Sequence, residues 1–305
     1  MLLILFTLIS FKSNAQNEMV ILNKWGEFGV SPGDFKYPTL LAVDSKDNLF
    51  VVDQHNHRIQ KFDSSGDFIL MWGKNGESSG EFKFPYGIAI DSEDNVYVSD
   101  MNNNRIQKFS NSGDFIKSVG SYGTGNDQLK YPYGIAIDKS DNIYVIDALN
   151  YSIKKFNKQL EFLAKWGSEE NIGIKVYMPH EIAISKDGNV ILSDRQNHRI
   201  SIFNPDGRLI ERFGSYGEGK DASGGKFSEP HGLAVDSNGN IYVTDRYNFQ
   251  VQQFDLNKKF KTKWFTSAVF DDSLYFPLGI VTDSKGDIYV SDHYDHSIFK
   301  YKRIQ

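Results

Sequence analysis

Residues 131–138 read YPYGIAID, residues 84–91 read FPYGIAID and residues 229–236 read EPHGLAVD. This pattern of proline and aliphatic residues occurs six times, five of them ending in aspartate and the fourth in Ser185, with its proline at positions 38, 85, 132, 179, 230 and 277. The spacings are 47, 47, 47, 51 and 47 residues. A regular internal period of this length is typical of a fold built from repeated units. One insertion of four residues explains the longer spacing, and we place it in the glycine-rich stretch 214–225.

Each copy divides into four short strands separated by turn residues. In the second copy the predicted strands are 87–91, 96–100, 105–109 and 115–119. These segments are rich in β-branched and aromatic residues and are bounded by Asn, Asp, Ser and Gly. No stretch shows sustained helical periodicity. Six such units predict an all-β protein, a six-bladed β-propeller whose blades are four-stranded antiparallel sheets.

The two chain ends predict how the ring closes. The sixth copy stops at residues 301–305, after its third strand, while residues 19–26 precede the first copy. Residues 19–26 match the fourth-strand segments 68–73 and 162–167. We therefore expect the N-terminal strand to complete the last blade and to remove an exposed edge. All four tryptophans lie in fourth-strand segments, where we expect them to pack between blades: Trp25, Trp72, Trp166 and Trp264.

The composition narrows the classes of function. Of the 305 residues, 40% are hydrophobic and 24% are charged, which is typical of a globular chain. Cysteine is absent, so disulfides, zinc–thiolate sites and thiol catalysis are excluded. The formal net charge of −5 opposes binding to nucleic acid, because an RNA-binding propeller needs a basic face. A closed ring needs no second copy for stability, so we expect a monomer.

The N-terminus predicts export. Residues 1–11 read MLLILFTLISF and are followed by Lys12 and the small residues of 13–15. An apolar core that ends in small residues is typical of a secretory signal, here cleaved after Ala15. About ten apolar residues are too few to span roughly 30 Å of hydrocarbon, so stable membrane insertion is not expected. Residues 16–305 then form a single propeller domain that is periplasmic or extracellular.

The repeat resembles the NHL repeat. The match rests on the proline–glycine–aliphatic motif and on the segment after it, which reads VDQHNHRIQKF at residues 52–62. It covers nearly all of the chain after about residue 18. The resemblance implies a six-bladed propeller that serves as a binding module, a sensor domain or occasionally an enzyme.

Residue types that recur in every blade are expected to serve the scaffold. An aspartate ends the second strand in all six copies, and we interpret it as a cap for the turn that follows: Asp53, Asp100, Asp147, Asp194, Asp245 and Asp292. The turns after the first strand, such as residues 44–48, look superficially like calcium loops. They lack the spacing and the bidentate glutamate of an EF-hand loop, which favours ordinary turn hydrogen bonds over calcium.

Two positions vary while the scaffold stays constant, and both are predicted to face one mouth of the channel. After the proline stand Thr39, Tyr86, Tyr133, His180, His231 and Leu278. After the second-strand aspartate stand Gln54, Met101, Ala148, Arg195, Arg246 and His293. Antiparallel pairing of Ile184 with Val190 places His180 opposite Asp194, so the two positions are neighbours in space. The predicted site comprises Tyr86, Tyr133, His180, Glu181, Arg195, His231, Arg246 and His293.

This residue set suits an anionic ligand. Arginine binds a carboxylate through two parallel hydrogen bonds, and tyrosine stacks or donates a hydrogen bond. The leading hypothesis is a binding module that presents its mouth to a protein, a peptide or a small anionic ligand and performs no chemistry. The alternative hypothesis is that Arg195 and Arg246 simply pair with acidic residues while the histidines line a water-filled channel.

Enzymatic alternatives come from a second resemblance. His180 and His231, each directly after proline, and Arg195 and Arg246, each directly after aspartate, are similar to channel positions of the peptidyl-hydroxyglycine amidating lyases. That resemblance implies a zinc-dependent lyase with zinc held by channel histidines, and His293 would have to supply the third ligand from a different position. Lactonase-type hydrolysis is a further alternative, for which Glu181 is the only obvious channel carboxylate outside the repeated aspartates.

Overall fold

Each repeat folds into one four-stranded antiparallel sheet, and six such sheets surround a common channel. The computed structural model describes residues 18–167, 176–219, 223–265 and 276–304. Residues 1–15, the predicted signal, lie outside these ranges. Within them, no helix has the length and apolar character needed to cross a membrane. The predicted all-β propeller with six four-stranded blades is confirmed.

The strands follow the repeat closely. Blades one to three, with the preceding N-terminal strand, contain β1 (Glu18–Trp25), β2 (Pro38–Val43), β3 (Leu49–Asp53), β4 (Arg58–Phe62), β5 (Phe68–Trp72), β6 (Pro85–Ile90), β7 (Val96–Asp100), β8 (Arg105–Phe109), β9 (Phe115–Val119), β10 (Pro132–Ile137), β11 (Ile143–Asp147), β12 (Ser152–Phe156) and β13 (Phe162–Trp166). Blades four to six contain β14 (Ile182–Ile184), β15 (Val190–Asp194), β16 (Arg199–Phe203), β17 (Leu209–Phe213), the short pair β18 (Ser215–Tyr216) and β19 (Lys226–Phe227), β20 (Pro230–Val235), β21 (Ile241–Asp245), β22 (Gln250–Phe254), β23 (Phe260–Phe265), β24 (Pro277–Thr282), β25 (Ile288–Asp292) and β26 (Ser297–Ile304). Single-turn 3-10 helices follow the second strand of blades one to five: Gln54–Asn56, Met101–Asn103, Ala148–Asn150, Arg195–Asn197 and Arg246–Asn248.

The N-terminal strand closes the ring. β1 pairs antiparallel with β26, with Trp25 opposite Ile298, and so forms the fourth strand of blade six. The ring of Trp25 then lies 6.0 Å from that of Phe62 in blade one, between the two blades as predicted. Because β1 covers the free edge of β26, the predicted closure is confirmed.

The four inserted residues lie in the linker between blades four and five. The linkers of the first three blades each form a short parallel bridge between residues seven positions apart, such as Phe28 and Phe35. The corresponding pair here is Tyr216 and Phe227, eleven positions apart. The insertion therefore falls inside the predicted stretch 214–225, and the bridge beside it is preserved.

The propeller has two distinct faces. On the upper face, the linkers between blades contact the turns that join second to third strands, as where His55 donates its backbone N–H to Lys36 O at 3.1 Å. On the lower face lie the other turns, as where Asn111 Nδ2 donates to Asp44 Oδ2 at 3.2 Å. The residues that follow the repeated prolines therefore belong to the upper mouth of the channel.

The repeated aspartates fasten the linkers to the blades. Asp53 Oδ1 accepts the backbone N–H of Lys36 at 2.7 Å, and blades two to five have the equivalent bond. In blade six the donor to Asp292 is Phe276, one position later in the repeat, at 3.2 Å. The predicted cap is wrong for blades one to five, whose 3-10 helices receive no side-chain cap from this aspartate. In those five blades the aspartate accepts a side-chain N–H from the end of the turn instead, as where Asn56 Nδ2 donates to Asp53 Oδ2 at 2.9 Å. In blade six, Asp292 accepts the backbone N–H groups of Tyr294 and Asp295. Without this aspartate, the backbone N–H of the linker would have no hydrogen-bond acceptor.

The buried aspartates have different counter-charges in different blades. Arg58 Nε lies 2.7 Å from Asp53 Oδ2, and blades two and four have the same pairing. In blade three, Ser152 replaces the arginine, and Lys154 lies 3.2 Å from Asp147 Oδ2 with both side chains fully buried. A cation is thus kept beside the carboxylate, although it comes from a position two residues later.

In four blades, a side chain at the end of the turn between the second and third strands joins the blade to the next one. His57, at a left-handed φ of 54°, accepts the backbone N–H of Phe84 on its Nδ1 at 3.1 Å. The four donor–acceptor pairs are Phe84 and His57, Tyr131 and Asn104, Glu229 and His198, and Tyr37 and His296. A histidine that accepts on Nδ1 must be neutral or lose the bond, because both ring nitrogens are donors in the imidazolium.

Acid is therefore expected to weaken these junctions between blades and to destabilise the propeller. Burial lowers the pKa of His57 and of His296 from the ordinary 6.5. Their contribution to the free energy of unfolding is fully present above that ordinary value and is lost as pH falls through the lowered native pKa. We expect about 1 kcal/mol lost per junction, measured as urea-unfolding midpoints between about pH 7.5 and pH 5.

Blade two supplies the control for this prediction. His57→Asn copies Asn104, which accepts the equivalent amide N–H on Oδ1 and does not titrate. The variant is expected to be as stable as the parent at neutral pH and to show a smaller loss in acid. An unchanged pH dependence in His57→Asn would show that this junction does not control acid stability.

Candidate functional site

The residues after the prolines reach the channel through a break in strand register. In blade five, Pro230 pairs with Asp245 and Leu233 with Val243, and the register shifts between them. In blade four, the predicted pair Ile184–Val190 is present, but pairing ends at Ile182. The prediction that His180 lies opposite Asp194 is wrong, because the backbone N–H of His180 bonds to Ser193 O at 3.3 Å.

Tyr86 closes the channel at this level. Its hydroxyl lies 2.8 Å from His180 Nδ1 and 2.9 Å from His231 Nε2, in blades four and five. Blades two and five are opposite members of a ring of six, so the phenol reaches across the whole channel. Tyr133 stacks on His180, with ring centroids 4.7 Å apart and planes 29° from parallel. The aromatic and histidine positions predicted separately therefore form one cluster.

Arg195 and Arg246 share a single carboxylate. Arg195 donates from Nε to Glu229 Oε2 at 2.6 Å, and its Nη1 lies 2.8 Å from His180 Nε2. Arg246 Nη1 is 3.8 Å from the same Glu229 oxygen, and its guanidinium lies 4.0 Å from the ring centroid of Phe276. Arg195 thus pairs with an acidic residue, as the alternative interpretation proposed. Arg246 lies farther from the same carboxylate and interacts with it more weakly.

Burial sets the charges of this cluster. It lowers the pKa of His180 and of His231 far below the ordinary value, and the two nearby arginines lower both further. Burial also raises the pKa of the Tyr86 phenol and of the Glu181 carboxyl well above their usual values. The two histidines are therefore neutral at pH 7.

Glu181 occupies a position at which four other blades have glycine. In blade five, Thr244 Oγ1 accepts the N–H of Gly232 at 2.6 Å and donates to Leu278 O of blade six at 2.8 Å. In blade four, Ser193 Oγ accepts the N–H of Glu181 at 2.9 Å but turns back to Glu181 O at 3.4 Å. Glu181 Oε1 accepts the N–H of Ile182 at 3.3 Å, and within the described residues Ser193 lacks the bond between blades that Thr244 makes.

His293 does not join the other two predicted zinc ligands. Its Nδ1 donates to Pro38 O at 3.2 Å, and its ring centroid lies 5.1 Å from that of Tyr37. Both nitrogens of His180 are already hydrogen-bonded, to Tyr86 and to Arg195. Across the described residues, no three His, Asp or Glu side chains are placed to hold a metal ion together. These residues do not fit a zinc ion in this arrangement, and the zinc-dependent lyase stays a prediction.

Glu229 is the site residue that the sequence analysis missed. It directly precedes Pro230, and the corresponding residue is aromatic or methionine in the other five copies. A single carboxylate at a position that is otherwise apolar was the signal available. Glu181 is therefore not the only carboxylate near the mouth, and the charge balance there depends on Glu229.

These features define the class of protein as a six-bladed β-propeller with a polar, tyrosine-closed channel mouth. The NHL repeat model matches five stretches of the chain: residues 35–62, 82–109, 176–203, 227–254 and 274–301. They fall in blades one, two, four, five and six and cover the first three strands of each blade. The chain therefore belongs to the NHL-repeat propellers, as its resemblance implied.

Known proteins resemble the chain in two different ways. Protein brain tumor from Drosophila melanogaster is 43% identical over 58 residues, which is 19% of this chain and 6% of that protein. The chain thus spans only a small part of the length of this relative. A gluconolactonase from Xanthomonas campestris superimposes with a TM-score of 0.70 at 14% identity, covering 94% of this chain and 90% of that one. Virginiamycin B lyase from Staphylococcus aureus gives 0.63 at 14% identity, covering 95% and 99%. At such identities the likeness extends to the fold alone.

Proposed function

We propose that this protein is a binding module that holds a partner protein or peptide on its upper face, around the channel mouth. The observation that carries the proposal is the distribution of tyrosine. Six tyrosines of the described residues are exposed, and all six lie in linkers or turns of the upper face: Tyr122, Tyr131, Tyr177, Tyr216, Tyr247 and Tyr294. Exposed apolar residues of the outer strands are mostly aliphatic, such as Ile69, Ile116 and Leu163.

Tyrosine in this setting favours a macromolecular partner. Tyrosine and arginine are enriched in the cores of protein interfaces, because both combine a large contact area with a directional polar group. The linkers that carry these tyrosines are fastened by the repeated aspartates, so little ordering is needed on binding. We also propose that the protein acts outside the cytoplasm, on the strength of the predicted signal at residues 1–15.

A random peptide library displayed on phage tests the proposal without knowledge of the natural partner. We expect the purified protein to enrich peptides that bind at its upper face. A triple variant, Tyr216→Ala, Tyr247→Ala and Tyr294→Ala, should weaken their binding at least about tenfold, because each substitution removes an exposed aromatic contact. Fluorescence anisotropy of the synthetic peptides gives the dissociation constants.

The matched control changes three outer-strand residues instead: Ile69→Ala, Ile116→Ala and Leu163→Ala. Peptide affinities unchanged in this control and lost in the tyrosine variant support the proposal. Failure to enrich any peptide, or equal affinity for the tyrosine variant and the parent, overturns it.

A further inference from the structure

Two buried hydrogen-bond donors at the channel mouth have no partner among the described residues. They are Nδ1 of His231, a side chain only 1% exposed, and Nε of Arg246. Pro230 pairs with Asp245, so His231 and Arg246 leave the same end of the first hairpin of blade five. A buried donor without an acceptor costs about 1–3 kcal/mol, so the pair calls for an explanation.

The hydrogen-bond chain fixes which nitrogen of each histidine carries the proton. A guanidinium can only donate, so His180 Nε2 must accept from Arg195 Nη1. The proton of the neutral imidazole is then on His180 Nδ1 and is donated to Tyr86 Oη. The buried Tyr86 hydroxyl has one proton of its own, and His231 Nε2 is the acceptor within reach at 2.9 Å.

The series of hydrogen bonds that starts at Arg195 therefore ends on a donor. Because His231 accepts on Nε2, its own proton is on Nδ1, which points at no acceptor among the described residues. The order of donation runs from Arg195 through His180 and Tyr86 to His231. Moving the His231 proton to Nε2 would turn this end into an acceptor, but the buried Tyr86 hydroxyl would then have no acceptor among the described residues.

The local charge identifies the missing acceptor as an anion. Two guanidinium groups share the single carboxylate of Glu229, at 2.5 Å from Arg195 Nη2 and 3.8 Å from Arg246 Nη1. Because Arg195 engages Glu229 closely, Arg246 has no ion pair shorter than 3.8 Å within the described part of the chain. An anion there gains both the Coulomb attraction and two charge-assisted or directional hydrogen bonds.

We propose that a carboxylate of the bound partner accepts hydrogen bonds from His231 Nδ1 and Arg246 Nε, and that this pair is the anion-recognition point of the mouth. The inference rests on the proposed function, since it names the group that the partner inserts. A carboxylate fits because its two oxygens accept from two separate donors and its charge balances Arg246. A side-chain carboxylate and a chain terminus share this chemistry.

Acetate is the probe, and nitrogen-15 NMR of the histidine rings is the readout. In the acetate-free protein, His180 and His231 are expected to carry their protons on Nδ1. Acetate in the range of about 1–100 mM should shift the ring signals of His231 in a saturable way, as a single weak ion site does. Arg246→Gln should weaken acetate binding at least about tenfold, whereas Arg208→Gln, the same change at an exposed turn of the lower face, should leave it unchanged.

Three outcomes overturn the inference. They are a proton on Nε2 of His231, the absence of a saturable acetate shift, and equal effects of the two arginine variants. Acetyl-aspartate amide and acetyl-glycine, tested in parallel, separate a side-chain carboxylate from a chain terminus. Peptide binding that depends on the tyrosines, without an acetate site, would overturn this inference and leave the proposed function standing. Acetate binding without peptide binding would overturn the proposed function and leave the anion site standing.

Discussion

Lys154→Met is expected to destabilise the protein by about 3–5 kcal/mol, because it leaves the buried carboxylate of Asp147 without its cation. Both side chains are fully buried, 3.2 Å apart, and Lys154 Nζ also donates to the backbone oxygens of Gly125 and Gln128. Burial lowers the pKa of Lys154, but the adjacent carboxylate raises it and opposes this effect. Urea unfolding at pH 7, with m-values to check that two-state behaviour is kept, measures the loss.

Blade two provides a rescue for this variant. There Arg105 pairs with Asp100 at 2.8 Å and Gln107 bonds to Glu81 O at 2.7 Å. The double variant Ser152→Arg, Lys154→Gln rebuilds that arrangement in blade three and is expected to unfold within about 1 kcal/mol of the parent. A double variant as unstable as Lys154→Met would show that the arginine of blade two cannot replace the lysine of blade three as the cation beside the buried aspartate.

The blade architecture was predictable because it follows from local chemistry repeated at a fixed period. Three of the four strands of the second copy have the predicted bounds, and the first covers Pro85–Ile90 instead of the predicted 87–91. The earlier start reflects a pair between Pro85 and Asp100, followed by a shift of register. Such a shift is a property of two strands together, so the pattern of one strand does not reveal it.

The site was predictable only in part, for a similar reason. The period of the repeat placed Tyr86, His180 and His231 at one mouth, since equivalent positions in a ring point the same way. It did not reveal that the Tyr86 hydroxyl crosses the channel to both histidines, because that contact depends on the channel diameter. The role of the repeated aspartates was misread for the same reason, since Asp53 bonds to a linker amide 17 residues before it.

The junctions between blades explain why glycine follows the channel residues. A Cβ added at Gly232 would lie 2.1 Å from Leu278 O and 3.0 Å from Thr244 Oγ1. Neither neighbour is the flexible end of a long side chain, so blades five and six would have to separate at the channel. Gly134 has the same relation to blade four, where a Cβ would lie 2.7 Å from His180 O.

Gly232→Ala is therefore expected to cost about 3 kcal/mol, because one methyl group overpacks a backbone-to-backbone junction. Its control is Gly286→Ala, at a turn with φ +79° and no atom within 4 Å of the added Cβ, where backbone strain alone costs about 1–2 kcal/mol. Urea midpoints of the two variants give the comparison. Equal losses would mean that the junction yields easily and that conformation, not packing, limits both sites.

The reciprocal change shows what Glu181 costs the fold. Glu181→Gly gives blade four the residue of its neighbours and frees Ser193 Oγ to bond across to blade five, for a gain of about 1 kcal/mol. Burial raises the pKa of the Glu181 carboxyl, so its ionisation opposes folding increasingly as pH rises above the ordinary 4.5. The gain is thus expected to be larger at pH 8 than at pH 5, and a loss at both would show that Glu181 stabilises the junction. A parent that is less stable than Glu181→Gly is the result expected if the buried carboxyl next to His180 serves the channel mouth, since proteins retain such costs chiefly at functional sites.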